Sequence, residues 1–396
     1  MLSFKSIREM KKTSVLFIID SLTCGGAEKS LVSLLPLLNK DKYDVYLWMR
    51  SPGGAFMPLI PKNVHIVEQP SYNVIENLKM LLGKLYFSIM LRINKLFGKA
   101  EHGAETLWKC QGWAMKVPEG KWDVVVAYQQ GLPTYLVADK FSGCKKLAWV
   151  NVNVFKAGYK TEFNNKFYEK MDYIVPVSAL LHKLILEKIP QFKDRYHLVY
   201  DILNPQIIKD LGNEHVQNLK NEQDEWIFVT TGRLVPQKGH DIAISAAEEL
   251  KHMGVKFKWF FIGEGGERRN IERMIKEKGL QKCVILLGMH TNPYAFMRQA
   301  DVYVQTSKFE GFGLTIGEAK ILGKPIVSTN FEVVYNQLTN EKNGLIAEMN
   351  GKSVADNIYR MITDDTLREA IIAEIKSEHN STYITEVKKV EQMFDA

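Results

Sequence analysis

From Val15 onward, short apolar runs alternate with amphipathic segments of helix length, and the alternation starts afresh at Trp226. Few folds tolerate that rhythm, because strands separated by helices build parallel sheets covered on both faces. Strands are expected at 15–19, 45–48, 64–67, 124–127, 147–150 and 174–177 in the first half. The second half repeats them at 227–231, 258–262, 284–287, 302–305 and 326–328. Helices are expected at 27–38, 132–139, 179–187, 241–252, 269–278 and 314–322. The fold class is α/β, and 396 residues exceed one ordinary domain of roughly 150. A boundary is placed near residue 205, where Asn204-Pro205 favours an extended turn and a polar stretch, 209–225, follows. This gives domains at 1–205 and 206–380, with a closing helix in 381–396 that crosses back to the first. Two doubly wound domains facing one another leave a central cleft at the carboxyl ends of their strands.

Charge separates the halves. The first 200 residues carry 28 Lys and Arg against 17 Asp and Glu, whereas the whole chain has a net charge of only +7. A basic half implies an anionic partner, either nucleic acid or a lipid surface. The segment 78–99 reads LKMLLGKLYFSIMLRINKLFGK, and on a helix its Lys84, Ser88, Arg92, Lys95 and Lys99 form one narrow stripe. Nearly everything else in it is apolar, as in a helix that lies in an anionic membrane surface. The alternative is a core helix with a wet basic edge. Trp108 and Trp113 follow shortly and suit an interface. Because the aromatics lie away from the cations, single-stranded nucleic acid is disfavoured.

Cys24, Cys110, Cys144 and Cys283 are scattered, with no C-x-x-C pair, so neither a disulfide framework nor a zinc site is expected. No uninterrupted apolar run approaches 20 residues. The expectation is a cytoplasmic protein, peripheral on the inner face of the cell membrane.

Four stretches carry chemistry. Gly25 and Gly26 follow the first strand and open a helix, whose N-terminal N–H groups suit an anion. The turn Gly263-Glu264-Gly265-Gly266 lacks the third glycine of a dinucleotide fingerprint, and Glu264 would repel a pyrophosphate, so it is read as a turn. In Thr231-Gly-Arg-Leu-Val-Pro-Gln-Lys-Gly239, the cations Arg233 and Lys238 could stabilise a departing diphosphate. In Glu310-Gly-Phe-Gly-Leu-Thr-Ile-Gly-Glu318, Gly311 and Gly313 free the backbone around Phe312, Leu314 and Thr315 to meet an anion at a helix start. Glu310 and Glu318 flank that pocket, positioned for sugar and ribose hydroxyls.

With these residues in order, the sequence resembles the retaining glycosyltransferases of family 4, which have the GT-B fold of two Rossmann-like domains. The resemblance spans most of 14–365 and is sharpest over 229–347. It implies transfer of a sugar from a nucleotide diphosphate donor, UDP favoured over GDP, to a glycan or lipid-linked acceptor in surface polysaccharide synthesis. By position, Arg233 and Lys238 hold the diphosphate, Glu318 the ribose and Glu310 the donor sugar, while Met289 and His290 read the base. No metal and no cofactor is implied, and no nucleic-acid partner. One departure concerns Trp149-Val-Asn151, where many members carry a histidine; Asn151 can bond a sugar hydroxyl but cannot carry a proton. The competing readings are a sugar-nucleotide epimerase on the same fold and a non-catalytic partner subunit.

Overall fold

A computed structural model describes residues 11–23, 25–96, 102–219, 225–378 and 382–396, so Cys24 and Lys99 lie outside the described residues. The chain forms two units, Met1–Tyr200 with Glu386–Ala396, and Asp201–Thr385.

The first unit holds β1 (Thr13–Ile19), β2 (Tyr43–Met49), β3 (His65–Ile66), β4 (Val124–Ala127), β5 (Lys145–Val150) and β6 (Tyr173–Pro176). They form one parallel sheet in the order β3-β2-β1-β4-β5-β6. Its helices are α1 (Gly26–Leu34), α2 (Val74–Leu96), α3 (Gly103–Gln111), α4 (Leu132–Lys140), α5 (Thr161–Tyr168) and α6 (Ala179–Lys188). Central strands are buried on both faces, which is why β1 and β4 read as unbroken apolar runs. Pro36 has no N–H to give and α1 tightens into a 3₁₀ turn at Leu35–Leu37, three residues short of the expected continuous helix. Helix α2 starts earlier than expected because Asn73 and Glu76 cap it reciprocally. Glu76 N–H donates to Asn73 Oδ1 at 2.9 Å, and Asn73 N–H to Glu76 Oε2 at 2.8 Å. Trp108 turns inward against Tyr135 and Phe167, so of the two tryptophans only Trp113, 57% exposed, remains at the surface.

The second unit repeats the plan. Strands β7 (Trp226–Thr231), β8 (Phe257–Ile262), β9 (Val284–Gly288), β10 (Val302–Gln305), β11 (Ile326–Thr329) and β12 (Leu345–Ala347) pair in the order β12-β11-β10-β7-β8-β9, all parallel. Around them lie α7 (Pro205–Gly212), α8 (His240–His252), α9 (Arg268–Glu277), α10 (Tyr294–Met297), α11 (Leu314–Ile321), α12 (Gly351–Thr363) and α13 (Asp365–Ser377). Asn204 is extended, as expected of the residue before a proline, but the pair opens helix α7 instead of closing a turn. Asn204 Oδ1 accepts from Gln206 N–H and Ile207 N–H, and Pro205 occupies the first helical position, where a missing N–H costs nothing.

Helix α14 (Thr382–Asp395) ends the chain, and from Glu386 onward it belongs to the first unit. Phe394 packs edge-on to Phe17 and Tyr43. Buried Tyr43 donates its hydroxyl to Asp395 Oδ1 at 2.9 Å. Tyr43→Phe is expected to lower stability by about 1 kcal/mol in urea unfolding, the usual net worth of one such bond. An unchanged midpoint would show that the ring packing alone seats this helix.

Candidate active site

Each sheet reverses its strand order once, between β1 and β4 in the first unit and between β7 and β10 in the second. At such a reversal the connections leave in opposite directions and open a crevice beyond the strand ends. Of the sequence-predicted residues of the second unit, Met289 and His290 follow β9, apart from the others, and Leu314, Thr315 and Glu318 lie on helix α11. Arg233, Lys238, Glu310, Phe312 and Gly313 sit on the connections leaving β7 and β10.

Three hydrogen bonds zip those two loops together. Thr306 Oγ1 donates to Lys238 O at 3.1 Å, Lys308 N–H to Gln237 O at 2.8 Å, and Gln237 Nε2 to Phe309 O at 2.9 Å. Gly239 is left-handed at φ 62°, and a Cβ there would stand 1.9 Å from Thr306 O. Only glycine lets the backbones approach this closely.

The zipper brings Lys238 to Glu310. Lys238 Nζ donates to Glu310 Oε1 at 2.6 Å, with the two side chains 17% and 8% exposed. The same oxygen accepts from Ser307 Oγ at 2.6 Å and Gln305 Nε2 at 2.8 Å. Gln305 is itself fixed, its Oε1 accepting from Thr315 Oγ1 at 2.6 Å and Tyr303 OH at 2.9 Å. Glu310 Oε2 has no hydrogen-bond partner among the described residues and is the oxygen available to a ligand. Arg233 is exposed and has no ion-pair partner among the described residues. Beneath Lys238, His240 is 3% exposed; burial and then the lysine charge pull its pKa down to about 4. That imidazole is neutral at neutral pH and adds no charge to the site.

Gly313 caps α11 in the left-handed region at φ 87°. Gln337 Nε2 donates to Phe312 O at 2.6 Å and Gly313 O at 3.0 Å, fixing the loop that leads into the helix start of Leu314 and Thr315. Glu318, one turn on, is wholly buried, and its Oε1 accepts from Tyr294 OH at 3.0 Å. Burial and the adjacent carboxylate hold the Tyr294 hydroxyl well above its usual pKa, so it remains a donor. Met289 is 61% exposed after β9, and His290 packs its ring on Phe296.

Gln305, Ser307, Gln337 and Tyr294 escape sequence reasoning. A polar Gln305 closing an otherwise apolar strand is the one signal that could have been read. The Gly263–Gly266 turn has a structural occupation. Its Gly263 N–H donates to Gly288 O, Glu264 O accepts from Leu234 N–H, and the Glu264 carboxylate pairs with Arg268.

The first unit's reversal differs. Gly25 caps helix α1 and Gly26 opens it, but the Glu28 side chain folds back until its Oε2 stands 2.0 Å from where a Gly25 Cβ would be. An internal carboxylate therefore covers the turn that was expected to receive a ligand anion. Beside it Gln129 Nε2 donates to Glu28 Oε1 at 3.3 Å, and Gln129 Oε1 accepts from Asp20 N–H at 3.2 Å. Asn151 donates its N–H to Gln130 Oε1 and its Nδ2 to Tyr128 O, while its enclosed Oδ1 has no hydrogen-bond partner. Cys110, Cys144 and Cys283 form no disulfide among the described residues. Among the described residues no group of three or more His, Cys, Asp or Glu could hold a metal ion.

Comparison with known proteins bears on the family and the fold. Residues 213–378 match the model of glycosyl transferases group 1. An uncharacterized glycosyltransferase of Methanocaldococcus jannaschii is 25% identical over 54% of this chain and 57% of its own length. The N-acetylgalactosamine-N,N'-diacetylbacillosaminyl-diphospho-undecaprenol 4-alpha-N-acetylgalactosaminyltransferase of Campylobacter jejuni is 27% identical over 89% of this chain and 91% of its own. The poly(ribitol-phosphate) alpha-N-acetylglucosaminyltransferase of Staphylococcus aureus is 32% identical, but the match spans only 34% of that protein. Among solved structures, Anabaena HepE in complex with UDP and glucose superposes with a TM-score of 0.71 at 16% identity, over 97% of this chain and 99% of that one. At that identity the likeness speaks for the fold.

Proposed function

We propose, from the premise that residues 213–378 belong to glycosyl transferases group 1 and that both sheets match the GT-B fold, that this protein transfers a sugar from a nucleotide diphosphate donor to a lipid-linked glycan. The observation that carries the reading is the Lys238–Glu310 pair, with Arg233 on the same loop, at the strand-order reversal of the second sheet. Two cations beside a departing diphosphate stabilise the charge that develops on it, and in this proposal they do so without a resident metal. Glu310 holds Lys238 in place through Oε1 and offers Oε2 to a donor-sugar hydroxyl. The helix start after Gly313 receives phosphate oxygens, Glu318 the ribose, and the chain at Met289–His290 the base.

The reaction proposed is retaining. The bond from the anomeric carbon to the phosphate oxygen breaks while the acceptor hydroxyl bonds to that carbon from the same side. The hydroxyl proton passes to the departing phosphate, so no carboxylate serves as nucleophile. A UDP-sugar is the favoured donor. The lipid-linked acceptor is supported by the likeness to the Campylobacter transferase, whose name gives a diphospho-undecaprenol substrate, and by the basic first unit. The place of work proposed is the inner face of the cell membrane.

A thermal-shift panel with UDP, GDP, CMP and NAD tests the donor site. A nucleotide at about 100 times its dissociation constant stabilises by roughly 2.7 kcal/mol. UDP is expected to give the largest shift and to lose it in Glu318→Ala. No shift with either UDP or GDP would overturn the donor assignment in favour of a partner subunit without turnover.

A further inference from the structure

We propose that α2 is an anchor that seats the protein on an anionic lipid bilayer, lying in the surface without crossing it. The inference rests on the proposed transfer to a lipid-linked acceptor for its purpose, and on the helix alone for its geometry. At about 100° per residue, α2 has three sides. One is a seam on α3 through Met80, Gly83, Phe87 and Met90, of which only Gly83 is fully buried. A Cβ at Gly83 would stand 3.0 Å from Gln111 Cγ and 3.1 Å from Cys110 O, so glycine sets how closely α2 rests there. Gln111 Nε2 also donates to Met80 O at 3.0 Å.

Roughly opposite the seam, Leu78, Leu82, Leu85, Ile89, Ile93 and Leu96 point away from the unit, between 37% and 82% exposed. Exposed Lys84, Arg92 and Lys95 line one edge of this apolar sector, and exposed Lys79 stands at the other. Six exposed large apolar side chains contiguous on one helix face mark an interaction face rather than the single scattered apolar residues of an ordinary surface. The reading of α2 as a core helix fails on these exposures.

The cations choose the occupant. A second copy docking through the same sector would bring like charges edge to edge, on a unit that already has a surplus of Lys and Arg. An anionic headgroup layer instead meets the cationic edges while the leucines enter the acyl boundary. Spanning is excluded among the described residues, since no helix is long and apolar enough to cross a membrane.

The test is flotation of the full chain with phosphatidylcholine vesicles, with and without roughly one third phosphatidylglycerol. Three or four cations near such a surface are expected to favour the anionic vesicles about a hundredfold, an advantage that shrinks with added salt. The variant L82N/L85N/I89N changes only exposed side chains and should float with neither vesicle. K84Q/R92Q/K95Q should lose the preference for phosphatidylglycerol. Wild-type protein that stays in solution, or an L82N/L85N/I89N variant that floats as wild type does, overturns the proposal. So does a wild-type dimer that this variant disperses, because the sector then faces a second copy. The UDP thermal shift, measured on the same samples, separates the two readings: flotation without a UDP shift sinks the donor assignment and leaves the anchor standing.

Discussion

Lys238→Ala should reduce turnover by about 10²–10³-fold, the usual cost of removing one preorganised group aimed at charge developing in a transition state. The substitution acts twice. In the proposed reaction it strips a cation from the leaving diphosphate, and it leaves Glu310, 8% exposed on its side chain, without its counter-charge. Truncating one partner of a largely buried pair costs up to about 3 kcal/mol, reduced here because Ser307 Oγ and Gln305 Nε2 still donate to the carboxylate. The assay therefore needs a folded-fraction control, and the informative quantity is kcat at saturating donor per folded molecule. Lys238→Arg retains charge and should recover part of the rate. A folded Lys238→Ala enzyme working within threefold of wild type would remove Lys238 from the chemistry and leave it as a tether for Glu310.

The second large effect is on stability. Gly239→Ala forces a left-handed backbone on a residue with a Cβ, at a cost of about 1–2 kcal/mol. It also thrusts that Cβ to 1.9 Å from Thr306 O, which cannot yield without opening the zipper between the β7 and β10 loops. The total expected in urea unfolding is about 4 kcal/mol or more, at the far end of what single substitutions do. Gly254→Ala is the matched control, with φ +76° and nothing within 4 Å of its would-be Cβ. It should cost about 1 kcal/mol. Equal costs at the two positions would show that the loops part easily. Since the zipper sets Lys238 against Glu310, whatever Gly239→Ala protein folds should also turn over slowly.

Much of the fold is legible in the sequence because parallel strands are buried on both sides. Val124–Val-Val-Ala127 cannot be mistaken for a surface segment, and β4 and β10 fall at their expected limits. Strand β12 is only Leu-Ile-Ala and has no periodicity to detect. Helix α7 is hidden by Asn204-Pro205, a pair that signals a turn when read alone and a helix start when about two turns of helix follow. The site divides the same way. Gly232, Arg233, Lys238 and the Glu310–Glu318 element stand out by spacing, because loops at strand ends keep their order in the chain. What stays out of sight is contact across space. Nothing in the order of residues says that Gln305 and Ser307 converge on Glu310 Oε1, or that the Glu28 side chain folds back over Gly25. Those depend on rotamers that the fold selects after it forms.

The return of α14 to the first unit has a consequence for how the protein comes off the ribosome. Phe17 and Tyr43 are translated long before the Phe394 ring that covers them. At about 5–20 residues per second, some ten to forty seconds separate the end of the first sheet from the arrival of its final helix. Throughout that interval the nascent first unit shows an uncovered aromatic patch while the second unit is still being made. A chain cut before Glu386 would keep every named strand of both sheets and leave that patch bare. Completion of the first unit is thereby tied to the synthesis of α14, which follows all of the second unit's strands.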